Sequence, residues 1–288
     1  GAPSAHLGEL ISTSGQYLAT LSPESHRVLI HDMRGDSPVK ISEVFGYGER
    51  LGMVRTPIGV HLSQDGRALL VTDRGNRRLT RASLNVRPGE PLSQDPELEN
   101  VLDAIDLGSL GILPGDVTLV ERDGAAPVIA VVDSATDTVV LLDDDLQILR
   151  RIGASAEDPI VGIVGVASTP NGTLLILDGF GGAGSDGAAG SDGAAGSDGA
   201  AGSDGAAESD GAAESVRRGR VLEYDLDGKR LGGFGDGLFV SPAAALAHGS
   251  RVWVTDAARD RVEVFDRSET NGLFEHTGGF GETGLGRA

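Results

Sequence analysis

The sequence predicts an all-β chain made of repeated four-stranded antiparallel sheets, and three observations carry that expectation. A short phrase recurs along the 288 residues: apolar strand, acidic or small polar residue, short loop, basic residue, second apolar strand. Asp-Gly and Asn-Gly pairs, whose backbones take the positive φ of a tight hairpin, fall between apolar runs. The 3.6-residue apolar period of a helix is nearly absent.

The second and third strands of each unit read most clearly. LLVTDRGNRRL (Leu69 to Leu79), IAVVDSATDTV (Ile129 to Val139) and VWVTDAARDRV (Val252 to Val262) put Asp73, Asp133 and Asp256 at one position. ATLSPESHRV (Ala19 to Val28) is a divergent copy, with Ser22 in place of the aspartate and Arg27 where Arg78 and Arg261 stand. A further copy begins as LLILD (Leu174 to Asp178), breaks for almost forty residues and resumes as GRVLEY (Gly219 to Tyr224), with Arg220 at the basic position. First strands and hairpin turns precede the copies: PIGVHLSQDG (Pro57 to Gly66), PGDVTLVERDG (Pro114 to Gly124) and VGIVGVASTPNG (Val161 to Gly172). Fourth strands follow them, commonly ending in Phe-Gly, at Val44 to Gly46, Gly233 to Gly235 and Gly279 to Gly281.

Units of about 40 to 60 residues, each a four-stranded antiparallel sheet, are the signature of β-propeller blades around a central channel. The expected architecture is a single propeller domain over residues 1–288, with five repeats visible and a ring of five or six blades. With 7 Phe, 3 Tyr and 1 Trp, the core falls to Val, Leu, Ile and Ala, branched residues that suit sheets packed face to face. FGETGLGR (Phe280 to Arg287) reads as the lead-in to another unit and APSAHL (Ala2 to Leu7) as the inner strand after it, so the two ends are expected to meet where the ring closes.

VTDRGNRRL and VTDAARDRV, each preceded by a proline, a strand and a D-G or H-G-S hairpin, resemble NHL repeats; the related YVTN-type propeller repeats are similar too. The resemblance covers most of the chain outside the interruption and is best over Thr56 to Leu84 and Ser241 to Phe265. It implies a propeller whose rings usually close with six blades.

The interruption is placed at residues 179–218, in the loop between the second and third strands of the fourth unit. From Gly184 to Ser215 it repeats GSDGAA and then ESDGAA, with glycine at every third residue for most of its length. A collagen triplex needs that spacing, but the run is short and has no proline. The reading adopted is a flexible acidic tether with no large apolar side chain to offset ordering entropy. Loop closure grows only logarithmically, so about thirty extra residues add on the order of 1 to 2 kcal/mol. Gathering its carboxylates around Ca²⁺ would require ordering a mobile chain, which argues against calcium binding there.

Lys plus Arg total 24 against 43 Asp plus Glu, a formal charge of −19 that repels nucleic acid and anionic lipid. No apolar stretch approaches the length of a membrane span. The absence of cysteine removes disulfides, thiolate metal sites and cysteine nucleophiles. The sequence starts at Gly1 rather than Met, which allows a removed leader.

Asp73 with Arg78 and Asp256 with Arg261 recur across the same loop, so they are read as structural acid–base pairs that cap loop amides. A three-histidine zinc site like that of the NHL-like amidating lyases would need one His per blade at one position. The counterparts of His61 are Thr118, Ala167 and Leu246, and those of His26 are Arg77, Asp137 and Asp260, so no such site is expected. His6 and His61, as possible equivalents in the first two units, remain the only metal candidates, and no cofactor is expected. Asp143 to Asp145 and Asp225 to Gly228 lack the spacing and closing Glu of a calcium loop and read as hairpin turns.

No nucleophile elbow, zinc-protease helix or phosphate loop is present. The expected function is therefore a non-catalytic, NHL-like scaffold, secreted or otherwise outside the cytoplasm, that binds a protein, peptide or glycan. Its binding face would be the loops carrying Arg74, Asn76, Arg77, Asp137, Arg259 and Asp260. The competing expectation, carried by fold analogy alone, is a metal-dependent hydrolase or lyase at the channel mouth.

Overall fold

Short apolar runs ending in aspartate, such as LLVTD, AVVD and LLILD, become the second strands of five antiparallel sheets in the computed structural model. The structure describes residues 11–13, 17–22, 25–33, 38–63, 66–84, 98–122, 124–153, 160, 162–179 and 219–281. Among them no residue is helical.

Each sheet is a meander of four consecutive strands. The first holds β1 (Ile11–Thr13), β2 (Tyr17–Ser22), β3 (Arg27–Asp32) and β4 (Val39–Val44). The second holds β5 (Pro57–Leu62), β6 (Ala68–Asp73), β7 (Arg78–Leu84) and β8 (Leu98–Asp106). The third runs through β9 (Pro114–Arg122), β10 (Ala125–Asp133), β11 (Thr138–Leu142) and β12 (Ile148–Gly153). The fourth contains β13 (Ile163–Ser168), β14 (Leu174–Asp178), β15 (Gly219–Tyr224) and β16 (Arg230–Phe239), and the fifth β17 (Pro242–His248), β18 (Arg251–Asp256), β19 (Arg261–Arg267) and β20 (Phe274–Gly281). These are the blades of a five-bladed β-propeller, which decides between the five and six left open above. Phe280 and Gly281 finish the fifth blade instead of opening another, and Ala2 to Leu7 lie outside the described residues.

Local chemistry fixes the turns. The hairpins between first and second strands turn at Gly66, Gly124, Gly172 and Gly249, all with φ between 59° and 76°, which glycine adopts without a Cβ penalty. The pairing of Asp178 with Arg220 joins β14 to β15, so residues 179–218 connect the second and third strands of blade 4.

Packing follows from how continuous each run is. In the middle blades the second strand is buried on both faces, as at Leu69–Asp73 and throughout Leu174–Asp178, and unbroken apolar sequence is what two-sided burial requires. In blades 1 and 5 burial alternates along β2 and β18. Four apolar clusters fill the spaces between blades 1 and 2, 2 and 3, 3 and 4, and 4 and 5; among the described residues no such cluster joins blade 5 to blade 1. The last of the four concentrates the scarce aromatics, with Phe234 lying 4.6 Å from Phe265 and 4.9 Å from Phe274 between ring centres.

Polar bonds also cross between blades. The Thr72 hydroxyl donates to the Gly115 carbonyl at 2.6 Å. Gly59 makes this approach possible, since a Cβ there would stand 2.3 Å from Thr72 Oγ1 and 3.0 Å from Asp116 Cα. Arg267 of blade 5 reaches buried Glu223 of blade 4 at 2.6 Å, and its guanidinium lies 4.1 Å over the Phe274 ring.

Candidate functional site

One end of the propeller carries the loops between second and third strands, and a repeated carboxylate builds them. Asp73 accepts the amides of Thr56 at 2.9 Å and Arg55 at 3.1 Å, plus the Asn76 side-chain amide at 2.6 Å. Asp256 accepts Val240 and Ser241 amides at 2.9 and 3.0 Å. Asp133 accepts the Leu113 amide and Arg151 Nη1, both at 3.0 Å. Burial works against the charge on Asp133, yet the Leu113 amide, the Thr136 hydroxyl, the Ala135 amide and Arg151 together outweigh it and hold its pKa low. In each case the aspartate fastens the end of the second strand to the segment entering the first.

The arginines of the expected pairs have other principal partners. Arg78 approaches Asp73 only to 3.9 Å and donates instead to the carbonyls of Glu49, Arg50 and Met53. Arg261 pairs with Glu263 at 2.8 Å, and it is Arg259 whose guanidinium comes within 3.8 Å of Asp256. A carboxylate facing consecutive backbone amides is already satisfied, which frees the cation for nearby carbonyls.

The residue closing each of these loops is left-handed: His26 (φ 55°), Arg77 (φ 50°), Asp137 (φ 48°) and Asp260 (φ 50°). Of the six loop candidates, Arg74, Arg77 and Asp260 are exposed, and Asn76, Asp137 and Arg259 are half-buried. Several lock the loops together. Arg74 donates to the Pro114 carbonyl at 3.1 Å and the Ser134 hydroxyl at 3.0 Å in blade 3. Asp137 accepts the Ile163 amide of blade 4 at 3.3 Å, Arg259 donates to the Leu238 carbonyl, and Asn76 to the Gly48 carbonyl at 2.8 Å.

A second polar group lies on the first strands, around the axis. His61 Nδ1 of β5 stands 3.3 Å from the Thr118 hydroxyl of β9, which donates to Ser168 Oγ of β13, also at 3.3 Å. Burial pushes the His61 pKa down to about 4, so the ring is neutral. Two residues before Thr118, Asp116 accepts the amides of Val117 at 2.8 Å and of Val166 in blade 4 at 2.9 Å. Burial raises its pKa to about 7 against the pull of these two N–H groups.

Strand register locates the equivalents of His61. Thr118, Ala167 and Leu246 oppose Ala130, Leu175 and Trp253, as His61 opposes Leu70. In blade 1 the residue in register is Ser12, opposite Ala19. The proposed equivalence of His6 is therefore displaced, and His6 itself lies outside the described residues. Among the described residues, no group of three His, Cys, Asp or Glu side chains is placed to hold a metal ion. Asp116 went unremarked in the sequence, although PGDVTL carries an acid where PIGVHL has Gly59.

Whole-chain comparison finds solved β-propellers. The structure is similar to a streptogramin B lyase (TM-score 0.53, 11% identity, covering 96% of this chain and 84% of that chain). It is similar to a catalytically inactive virginiamycin B lyase from Staphylococcus aureus with quinupristin (0.52, 11%, 95% and 71%). It also resembles a chain of a nidogen/laminin complex (0.56, 14%, 95% and 80%). At these identities the likeness is one of fold. No protein-family model and no curated protein matches the sequence.

Proposed function

We propose that the protein is a non-catalytic, NHL-like propeller scaffold that binds a protein, peptide or glycan through the loops at the end carrying Arg77 and Asp260. One observation carries this reading: the same hairpin is fixed by the same buried carboxylate in blades 2, 3 and 5. Loops held this way lose little entropy when a partner docks, which favours recognition. The exposed guanidinium of Arg77 and carboxylate of Asp260 offer opposite charges on that surface. The fold neighbour from a protein–protein complex supports the same reading, and the VTDRGNRRL and VTDAARDRV repeats support the NHL type.

The test is selection of displayed peptides and a glycan array on the purified protein, repeated with Arg77→Glu and Asp260→Arg together. Ligands selected on the parent should lose binding to the double variant and keep it with Glu121→Arg, an exposed change at the far end of β9. Ligands indifferent to the loop pair would defeat the proposal. The competing reading, a metal-dependent hydrolase or lyase at the channel mouth, draws on the lyase neighbours and on His61 beside the axis. Stoichiometric metal in the purified protein would favour it.

A further inference from the structure

In a repeat protein, residues that recur build the fold, and departures from the repeat at its axis are available for other work. Two departures stand out on the first strands. The position of Asp116 is filled by Gly59, Gly165 and Ala244 in blades 2, 4 and 5, as the register with the second strands shows. The position of His61 is filled by Thr118, Ala167 and Leu246. Asp116 and Thr118 lie two residues apart on one face of β9, about 7 Å along the strand, and His61 sits beside Thr118.

Among the described residues, no cation is paired with the carboxyl group of Asp116. Four strands pack closely on β9, namely β5, β6, β10 and β13, and none carries Lys or Arg. Their ionisable groups are His61 on β5, Asp73 on β6 and Asp133 on β10; β9 itself adds Glu121 and Arg122 at its far end. The two amides use one lone-pair direction on each oxygen and leave the others open. An enclosed carboxylate without a cation is unfavourable, and a bound cation would relieve it.

His61 supplies a second acceptor. With the Thr118 hydroxyl directed at Ser168, the complementary tautomer of His61 donates from Nδ1 to Thr118 and keeps the lone pair on Nε2. Nε2 has no hydrogen-bond partner among the described residues, nor is it among the sealed, unpartnered polar atoms. Both side chains are partly exposed. β9 is the edge strand of its sheet, paired with β10 and packed against β5 and β13 of the neighbouring blades, so its open edge is the one toward the axis.

Two acceptors, one of them anionic, call for a cation rich in donors. We propose that the axial ends of β5, β9 and β13 bind a small primary ammonium ion, with Asp116 as its counter-charge and His61 Nε2 accepting a second donor of the same ligand. The chain's net charge of −19 draws such cations toward it. This site is separate from the loop face, and either can fail alone.

The experiment is isothermal titration of the full chain with ethanolamine at low ionic strength, with ethylene glycol and calcium chloride as comparisons. Saturable one-to-one binding is expected for ethanolamine and none for ethylene glycol. Affinity should rise about tenfold from pH 6 to pH 8, as a group with a pKa of about 7 ionises. Asp116→Asn, checked for folding by circular dichroism, should abolish binding, and His61→Ala should weaken it about tenfold. No binding to the parent at pH 8, an equal response to calcium, or unchanged affinity in folded Asp116→Asn would each overturn the proposal. If Asp116→Asn does not fold, the pH dependence and the ethylene glycol comparison in the parent protein still decide it.

Discussion

Asp73 and Asp256 occupy the same place in blades 2 and 5, and each spreads its two oxygens over two consecutive amides, Arg55–Thr56 and Val240–Ser241. In blade 3 Asp133 does the same work with the Leu113 amide and Arg151. Replacing Asp73 with Asn keeps the shape but turns an NH₂ group toward an amide. Hydrogen bonds to a charged group contribute about 1.5 to 3 kcal/mol, and a buried donor left unpaired costs a similar amount. Asp73→Asn should therefore lower unfolding stability by roughly 2 to 4 kcal/mol, measured as a lower urea midpoint at unchanged slope.

Arg77 closes its loop at φ 50°, a conformation that penalises any side chain and a β-branched one most. Arg77→Gly should be neutral or stabilise by up to about 1 kcal/mol, and Arg77→Val should destabilise by about 1 to 2 kcal/mol. Thermal unfolding of the two variants should move in opposite directions or differ clearly in size. Equal values would mean that the loop relaxes to another conformation.

Glu223 is buried with Arg267 at 2.6 Å and the Thr173 hydroxyl at 2.6 Å. Arg267→Ala strands that carboxylate and removes the cation lying over Phe274. The expected loss is about 3 to 5 kcal/mol, typical of breaking one side of a buried ion pair. Adding Glu223→Gln should recover part of it in a double-mutant cycle.

The axial pair gives opposite pH dependences. Asp116 has a folded pKa of about 7 against 3.8 ordinarily, so the folded state binds the extra proton and the group's contribution is lost as pH rises from about 4 to about 7. His61 has a folded pKa of about 4 against 6.5, so its contribution is complete above 6.5 and is lost as pH falls toward 4. Between those limits the two slopes oppose. Relative to the parent, Asp116→Asn should lose stability on acidification from pH 6.5 to 4.5, by at most about 1.4 kcal/mol per pH unit. His61→Gln should instead lose stability as the pH rises over the same range, checked by urea unfolding at pH 4.5, 5.5 and 6.5.

Joining Asp178 to Arg220 through a four-residue turn like that between Asp256 and Arg261 removes 37 of the 41 residues now between them. Logarithmic loop entropy predicts a gain of about 2 kcal/mol with the pairing of Asp178 and Arg220 retained. A loss of stability would assign the connection a role in holding the blade.

The blades were legible because their chemistry repeats. The continuous runs LLVTD, IAVVD and LLILD announced strands buried on both sides, and the correspondence of His61 with Thr118, Ala167 and Leu246 stands in the strand register. The fourth strands β8 and β12 end without Phe-Gly and were harder to place. The partners of Arg78 and Arg261 were not legible. Sequence places a cation next to an acid along the chain, but only the folded loop reveals which amides face Asp73 and Asp256 and that Arg78 and Arg261 turn to other partners. Asp116 was hidden for the reverse reason: a single departure inside a repeat looks like noise until neighbouring blades bring Val166 and Gly59 against it.

Apolar clusters join each blade to the next from the first to the fifth, while the described residues of blades 5 and 1 share none. Each of the three middle sheets is therefore packed against a neighbour on both faces, and the stability of β6, β10 and β14 is shared with the blades on either side. Amide exchange should release β2 and β18, where burial alternates along the strand, before β6, β10 and β14, whose central residues are buried on both faces.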